Sequence, residues 1–253
     1  MNKLIKEFAR IVFGKMLPQI AYPVVCGPLK GAKFILGTLS GDGSGASVYF
    51  NLTEPAQTSF FVNSLNDGQV FFDIGANVGY YTILGARIVG SQGKVFAFEP
   101  VIRNLSYLYR HTILNNASNV TIISAACSDT LSLSEFSSGY NFATGYMTNN
   151  SHFENDSYEL HYPVPTVTVD AIVQHLGVSP DVIKIDVEGA EYSVLVGAKR
   201  TVSKAKPKIF LSTHSDKLRM TCLEYLRDLG YTWEVLNQYR NIPSEFLAKY
   251  TGI

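Results

Sequence analysis

Apolar positions along this chain change period repeatedly, and each change marks the edge of an element. Val70, Phe71 and Phe72 form a short unbroken apolar run, the pattern of a buried strand, which stops at Asp73-Ile74-Gly75. From Tyr80 the spacing becomes helical, with Ile83, Leu84 and Ile88 recurring on one side. A second strand follows over 94–98 and ends at Glu99-Pro100. Helical spacing returns over 101–116, where Leu105, Leu108, Ile113 and Leu114 form a stripe. The alternation then repeats. Strands are expected over 119–125, 181–186, 208–213 and 231–236, and helices over 167–176 (with Asp170 as N-cap), 193–205 and 218–229. Gly230 closes the last helix.

Upstream, residues 2–17 carry an amphipathic helix pattern, with Leu4, Ile5, Phe8 and Ile11 opposite Lys3, Lys6 and Arg10. Such a helix offers weak contact with a membrane surface or a partner, or else packs on the domain. Residues 28–45 suggest a hairpin and loop, and 58–65 a helix ending at the turn Asn66-Asp67-Gly68. Residues 137–165 show no regular period, and 237–253 have no assignable element. Strands alternating with helices predict an α/β fold: a doubly wound, mostly parallel sheet with helices on both faces. The expected organisation is an N-terminal extension over 1–48 and a Rossmann-like domain over 49–253.

Composition narrows the function. Lys plus Arg and Asp plus Glu both number 21, for a formal net charge of zero, so nothing draws the chain toward nucleic acid. The three cysteines, Cys26, Cys127 and Cys222, are scattered, which argues against a disulfide framework or zinc site. Free buried thiols in a reducing cytoplasm are the expectation. No apolar run approaches the roughly 18 residues of a membrane span.

The strand–turn–helix at 70–90 holds the chemistry. A glycine turn before a helix N-terminus leaves N–H groups beside a small ligand, so Gly75, Ala76, Asn77, Gly79 and Tyr80 are the expected cradle. The spacing Gly75-x-x-x-Gly79 lacks the dinucleotide fingerprint, and Asp73 at the strand's end would repel a pyrophosphate. A carboxylate there suits an ammonium group. Glu99, at the tip of the next strand, can accept both hydroxyls of a ribose. An acid for an ammonium and an acid for a ribose together point to S-adenosyl-L-methionine. Three further acids, Asp186, Glu188 and Glu191, cluster around Gly189 and need a compensating cation. The cofactor's sulfonium and ammonium are one source and a metal ion another. Carboxylates with no histidine close in sequence make a poor metal signature, so no metal is expected.

These motifs, FFDIGANVGYYT (71–82), VFAFEP (95–100) and VIKIDVEGAE (182–191), resemble the FkbM-type family of S-adenosylmethionine-dependent methyltransferases. YFNLTEP (49–55) and PKIFLSTH (207–214) match more loosely. The resemblance implies a class I methyltransferase fold and O-methylation of sugar, polyketide or other small-metabolite hydroxyls. It places Glu54 near the cofactor's methionine end, although a helix N-terminal carboxylate would read the same way. Many family members resemble this chain with a Glu where Ser212 stands.

Ser128, after the third strand, lies where such folds touch adenine, unless it only forms a Ser-Asp turn. Asp186 is the better candidate for the site among the clustered acids. His214 at the end of the 208–213 strand is the expected base for the acceptor's proton, oriented by Asp216, with Lys184 and Asp186 in reserve. An NAD-type oxidoreductase on a similar fold and a non-catalytic cofactor-binding protein are the competing readings. The acceptor's identity and the oligomeric state are not written in the sequence.

Overall fold

The computed structural model describes residues 18–38, 46–138, 145–147, 160–239 and 242–252. The amphipathic pattern over 2–17 lies outside them. In chain order the elements are β1 (Ala21–Pro23), β2 (Lys33–Ile35), a 3-10 turn (Ala46–Phe50), α1 (Pro55–Ser64), β3 (Val70–Ile74), α2 (Tyr80–Val89), β4 (Lys94–Phe98) and α3 (Ile102–Leu114). There follow β5 (Val120–Ile123), β6 (Ala126–Cys127), β7 (Ser132–Ser138), β8 (Gly145–Met147), β9 (Leu160–Val167), α4 (Val169–Leu176) and β10 (Val182–Ile185). The chain then forms α5 (Glu191–Gly197), α6 (Lys199–Ala205), β11 (Lys208–Ser212), α7 (Asp216–Asp228), β12 (Tyr231–Tyr239) and β13 (Ile242–Tyr250).

The main sheet has seven strands in the order β12-β13-β11-β10-β3-β4-β5. From β11 to β5 all pairs are parallel, while β13 runs antiparallel to both its neighbours. Both faces of a parallel sheet are covered by helices, so its strands alternate between two cores. Phe71, Val182, Phe210 and Leu247 pack in one, with Phe61 of α1 and Ile83 of α2. Phe72, Ile74, Ile183, Ile185 and Ile209 pack in the other, with Val194, Val202 and Leu226 of α5 to α7. The strand order reverses between β3 and β10, which opens a crevice at their carboxyl ends.

A hairpin forms, but it begins earlier than the expected 28–45: β1 lies before that range and only β2 within it, and the unit joins the first core through Val24, Leu29, Phe34 and Leu36. Buried His111 of α3 clamps it to the turn after β3. Its Nε2 accepts from the Ile35 N–H at 3.0 Å, so its Nδ1 carries the hydrogen and donates to Val78 O at 2.7 Å. Burial lowers its pKa, as this neutral, two-sided role requires.

Two expectations need correction, and two segments that had no assigned element gain one. Asp170 does not cap its own helix: Thr168 does, accepting from the Ala171 N–H. Asp170 instead accepts from the N–H groups of Arg200 and Thr201, at 2.9 and 2.8 Å, in the first turn of α6. The single helix expected over 193–205 is two, broken at Ala198. The described part of 137–165 contributes to a second sheet, β6-β9-β7-β8. The tail from 237 completes β12 and supplies β13, which inserts between β12 and β11. Of the cysteines, Cys127 and Cys222 are buried and Cys26 is exposed, all with free thiols. Among the described residues no helix is long and apolar enough to cross a membrane.

Phe246, 1% exposed on β13, tests the placement of the tail. Phe246→Ala should cost about 3–5 kcal/mol in urea unfolding, the scale for emptying a buried aromatic site. A loss below about 0.5 kcal/mol, the scale of a surface substitution, would contradict a docked β13.

Candidate active site

A cleft opens at the carboxyl ends of β3, β4 and β10, and it brings together most of the residues singled out by sequence. Glu54, Asp73, Gly75, Ala76, Asn77 and Tyr80 line it, with Glu99, Lys184 and Asp186. Gly79 stands behind the lining as the left-handed N-cap of α2, where an added Cβ would meet Leu108 at 2.7 Å. Ser128 is not in the lining. Its hydroxyl donates to Asp129, and its carbonyl presses against Gly197, where a Cβ would come within 2.0 Å. The chain before it, Ala125 to Cys127, forms that wall instead, with Phe98, Val101 and Phe136 making an apolar end.

The glycine turn differs from its expected use. Its N–H groups are turned to the protein rather than to a ligand. Gly75 N and Ala76 N both donate to Phe98 O, at 3.0 and 2.9 Å, and Asn77 N donates to Glu99 at 2.7 Å. Val78 N is taken by the Asn77 side chain. Gly75 is required for another reason: at φ 80°, a Cβ there would lie 1.8 Å from Asp186 O. Its bare backbone lets β3 and β10 close together at the reversal point. What the cleft presents is therefore carboxylate.

Asp73 is buried and accepts from the Thr82 hydroxyl at 2.6 Å through Oδ2, while its Oδ1 has no hydrogen-bond partner. Burial raises its pKa despite nearby Lys184. Glu99 accepts from the N–H groups of Val101 and Asn77, and burial lifts its pKa to about 7. Glu54 is the N-cap residue of α1, in a left-handed conformation and with no side-chain cap hydrogen bond, so it stands at a helix N-terminus as well as in the cleft. Its Oε2 accepts from Tyr81 OH at 2.8 Å and Gln57 Nε2 at 3.1 Å, and burial raises its pKa.

The compensating charge for these acids is Lys184, on β10 in register with Asp73. It is 3% exposed and donates to Asp186 Oδ2 at 3.1 Å. Burial alone would lower its pKa, but Asp186, Asp73 and Glu54 outweigh this and hold it at about 12. A lysine so charged donates hydrogen bonds and cannot serve as the base expected of it at neutral pH.

His214 is also charged. It lies outside this lining, in an adjoining hollow with Arg219 and Pro243. Its Nδ1 bonds to Glu191 Oε1 at 2.6 Å, and its Nε2 stands 3.5 Å from Asp186 and 3.4 Å from Glu188. Burial works against the charge, but the Glu191 hydrogen bond, then Glu188 and Asp186, lift the pKa to about 9. Asp216, expected to orient the ring, instead pairs with Arg219 at 2.8 Å. An imidazolium has no lone pair to accept a proton, so a pKa held at about 9 by these acids weighs against the base reading of His214. It bridges the three acids that had seemed to require a cofactor cation or a metal.

A seven-stranded, mostly parallel sheet that reverses between β3 and β10 and carries one inserted antiparallel strand is the class I S-adenosylmethionine-dependent methyltransferase fold. The methyltransferase FkbM domain model matches residues 73–233, and the chain belongs to that family. Among solved structures, a methyltransferase FkbM from Methylobacillus flagellatus aligns at 20% identity and a TM-score of 0.51, over 84% of this chain and 56% of that one. This chain thus spans little more than half of that protein. A SAM-dependent O-methyltransferase from Thermotoga maritima aligns at 15% identity and a TM-score of 0.47, over 78% and 65%. An rRNA methylase from Streptococcus thermophilus aligns at 13% identity and 0.49, over 77% and 95%. No curated protein matches the chain significantly in sequence.

The charge state of His214 can be read directly. Its pKa is raised, so the stabilisation from its ion pairs is full below about 6.5 and disappears as pH climbs through about 9. NMR titration of the imidazole should give a midpoint near 9. A midpoint at or below the ordinary value of about 6.5 would restore the base reading.

Proposed function

We propose that the chain transfers the methyl group of S-adenosylmethionine to a hydroxyl oxygen of a sugar, glycan or other small polyhydroxylated metabolite. The observation that carries the reading is the distribution of carboxylates around the cleft. Asp73, with a buried oxygen lacking a partner, fits an ammonium group. Glu54 stands ready beside it. Glu99 retains acceptor capacity for ribose hydroxyls, and the apolar end at Phe98, Cys127 and Phe136 suits a purine. When bound, the cofactor supplies an electrophilic methyl carbon on a sulfonium.

The chain's residues do the rest by position. Tyr81 and Gln57 fix Glu54, Thr82 fixes Asp73, and the charge of Lys184 favours the ionised form of both acids against their burial. Holding the reactants in line can be worth about 7–11 kcal/mol. On the acceptor side, Asp186 and Glu188 accept hydrogen bonds from hydroxyls and repel phosphates. This supports a neutral polyol over RNA or DNA, in keeping with the zero net charge. Buried free thiols at Cys127 and Cys222 support a reducing, cytoplasmic setting.

Calorimetry should show binding of S-adenosylmethionine and S-adenosylhomocysteine and none of NAD or NADP. Glu99→Ala should weaken that binding by roughly 1.5–3 kcal/mol, the scale of charge-assisted hydrogen bonds. With labelled S-adenosylmethionine and a panel of sugars and polyols, mass spectrometry should find an O-methyl product. NAD binding without S-adenosylhomocysteine binding would favour the oxidoreductase. Methylation of RNA alone would overturn the acceptor class.

Methyl transfer should also survive dialysis against EDTA, because Lys184 and His214 already neutralise the acids a metal would need. Activity lost to EDTA and restored by magnesium would contradict this.

A further inference from the structure

With Lys184 and His214 charged, the proton of an acceptor hydroxyl needs another destination. The unassigned tail supplies one. Ser212, the last residue of β11, pairs with Glu245 of β13, and Asn237 of β12 pairs with it from the other side. Glu245 therefore stands at the carboxyl edge of the sheet, where the cleft's acids are delivered. Alternation along β13 places it on the face of Leu247, which packs with Phe61, Phe210 and Val182. Lys184 shares that face, because its neighbours Ile183 and Ile185 pack on the opposite one. So does Asp73, between Phe72 and Ile74.

Glu245 is close enough to Glu54, Asp186 and Lys184 for their charges to act on it. Its Oε2 is shut from solvent with no hydrogen-bond partner, and its Oε1 receives one long bond, 3.4 Å, from Asn237. Glu245 is half-buried and stands outside the residues that line the cleft, but a carboxyl oxygen closed off with no partner is uncommon unless it has a task. The neighbouring groups are committed: Asp186 is tied to Lys184 and faces His214, which is itself tied to Glu191.

We infer that Glu245 takes up the proton of the acceptor hydroxyl during methyl transfer. The inference rests on the function proposed above. The acceptor oxygen bonds to the methyl carbon as the carbon–sulfur bond breaks. The electron pair of that bond stays on sulfur, leaving S-adenosylhomocysteine, and the hydroxyl proton passes to the Glu245 carboxylate. Burial and the charge of Glu54, joined by Asp186 and opposed by Asn237 and Lys184, raise its pKa to about 7. That is the range where a general base works best at neutral pH. A cation arriving at Glu54 and Asp73 would lower this value, so cofactor binding would expel a proton and ready the base.

The test is calorimetric titration with S-adenosylmethionine at pH 7, in two buffers of different ionisation heat, for the wild-type protein, Glu245→Gln and Glu245→Asp. The wild type should release up to about half a proton more than Glu245→Gln, as linkage requires of a group half-protonated at that pH. Glu245→Asp should restore part of the release. With an acceptor from the sugar panel, Glu245→Gln should lose about 10²–10⁴-fold in kcat and the rise of kcat/KM near pH 7, with its cofactor affinity nearly unchanged. Equal proton release in wild type and Glu245→Gln, or a kcat within threefold, would overturn the inference while leaving methyl transfer standing. Failure of the wild type to bind S-adenosylmethionine would overturn the proposed function and this inference together.

Discussion

The ion pair of Lys184 with the acids around it is the interaction on which this cleft depends. Lys184 sits on β10, beside β3, at the one place where the sheet's winding reverses. Sheet alternation aims it at the same face as Asp73, and the turn before α1 brings Glu54 over it. Without a cation there, Asp73, Glu54 and Asp186 could not all stay ionised in so dry a space. They would take up protons instead, because burial disfavours the charged carboxylate. With it, Asp186 is pushed below the usual carboxylate range, and the rise that burial imposes on Asp73 and Glu54 is opposed. Lys184 also lies 5.2 Å from the centre of the Tyr81 ring, which packs it from the side and orients Glu54 through its hydroxyl.

A second charged unit stands next to the first. Glu191 is fully buried and gives its Oε1 to both the Gly189 N–H and His214. That bond ties the start of α5 to the loop after β11. The imidazolium then faces Asp186 and Glu188, so the two units share Asp186 between a lysine and a histidine. The consequence is a division of labour. Cations inside the protein hold the acids in place on the β10 side, while Glu245, reached from β13, keeps an oxygen in reserve.

The sequence showed clearly those parts in which local pattern and tertiary role coincide. The units β3–α2, β4–α3 and β11–α7 alternate cleanly between strand and helix periods, and the acids at the ends of β3 and β4 follow from the winding rule. The tail was hidden for a physical reason. β13 is buried on both faces between β11 and β12, so Phe246-Leu247-Ala248 does not alternate, and Pro243 argues against a strand. Pro163 and Pro165 disguise β9 in the same way. Glu245 was missed with its strand. His214 was placed correctly at a strand end, but its charge is set by Glu191, 23 residues away, and no local pattern announces that pairing. Asp170 looked like a cap and is one, for a helix that begins 29 residues later.

Carboxylates beside Lys184 at the sheet reversal are arranged to receive a cationic nucleoside. A crystal structure of the protein with S-adenosylhomocysteine tests this most directly. The ribose hydroxyls should lie on Glu99, the ammonium on Asp73 Oδ1 and Glu54, and the purine against Phe136. A nucleoside seated elsewhere, or one whose amino acid end turns away from Asp73 and Glu54, would contradict it.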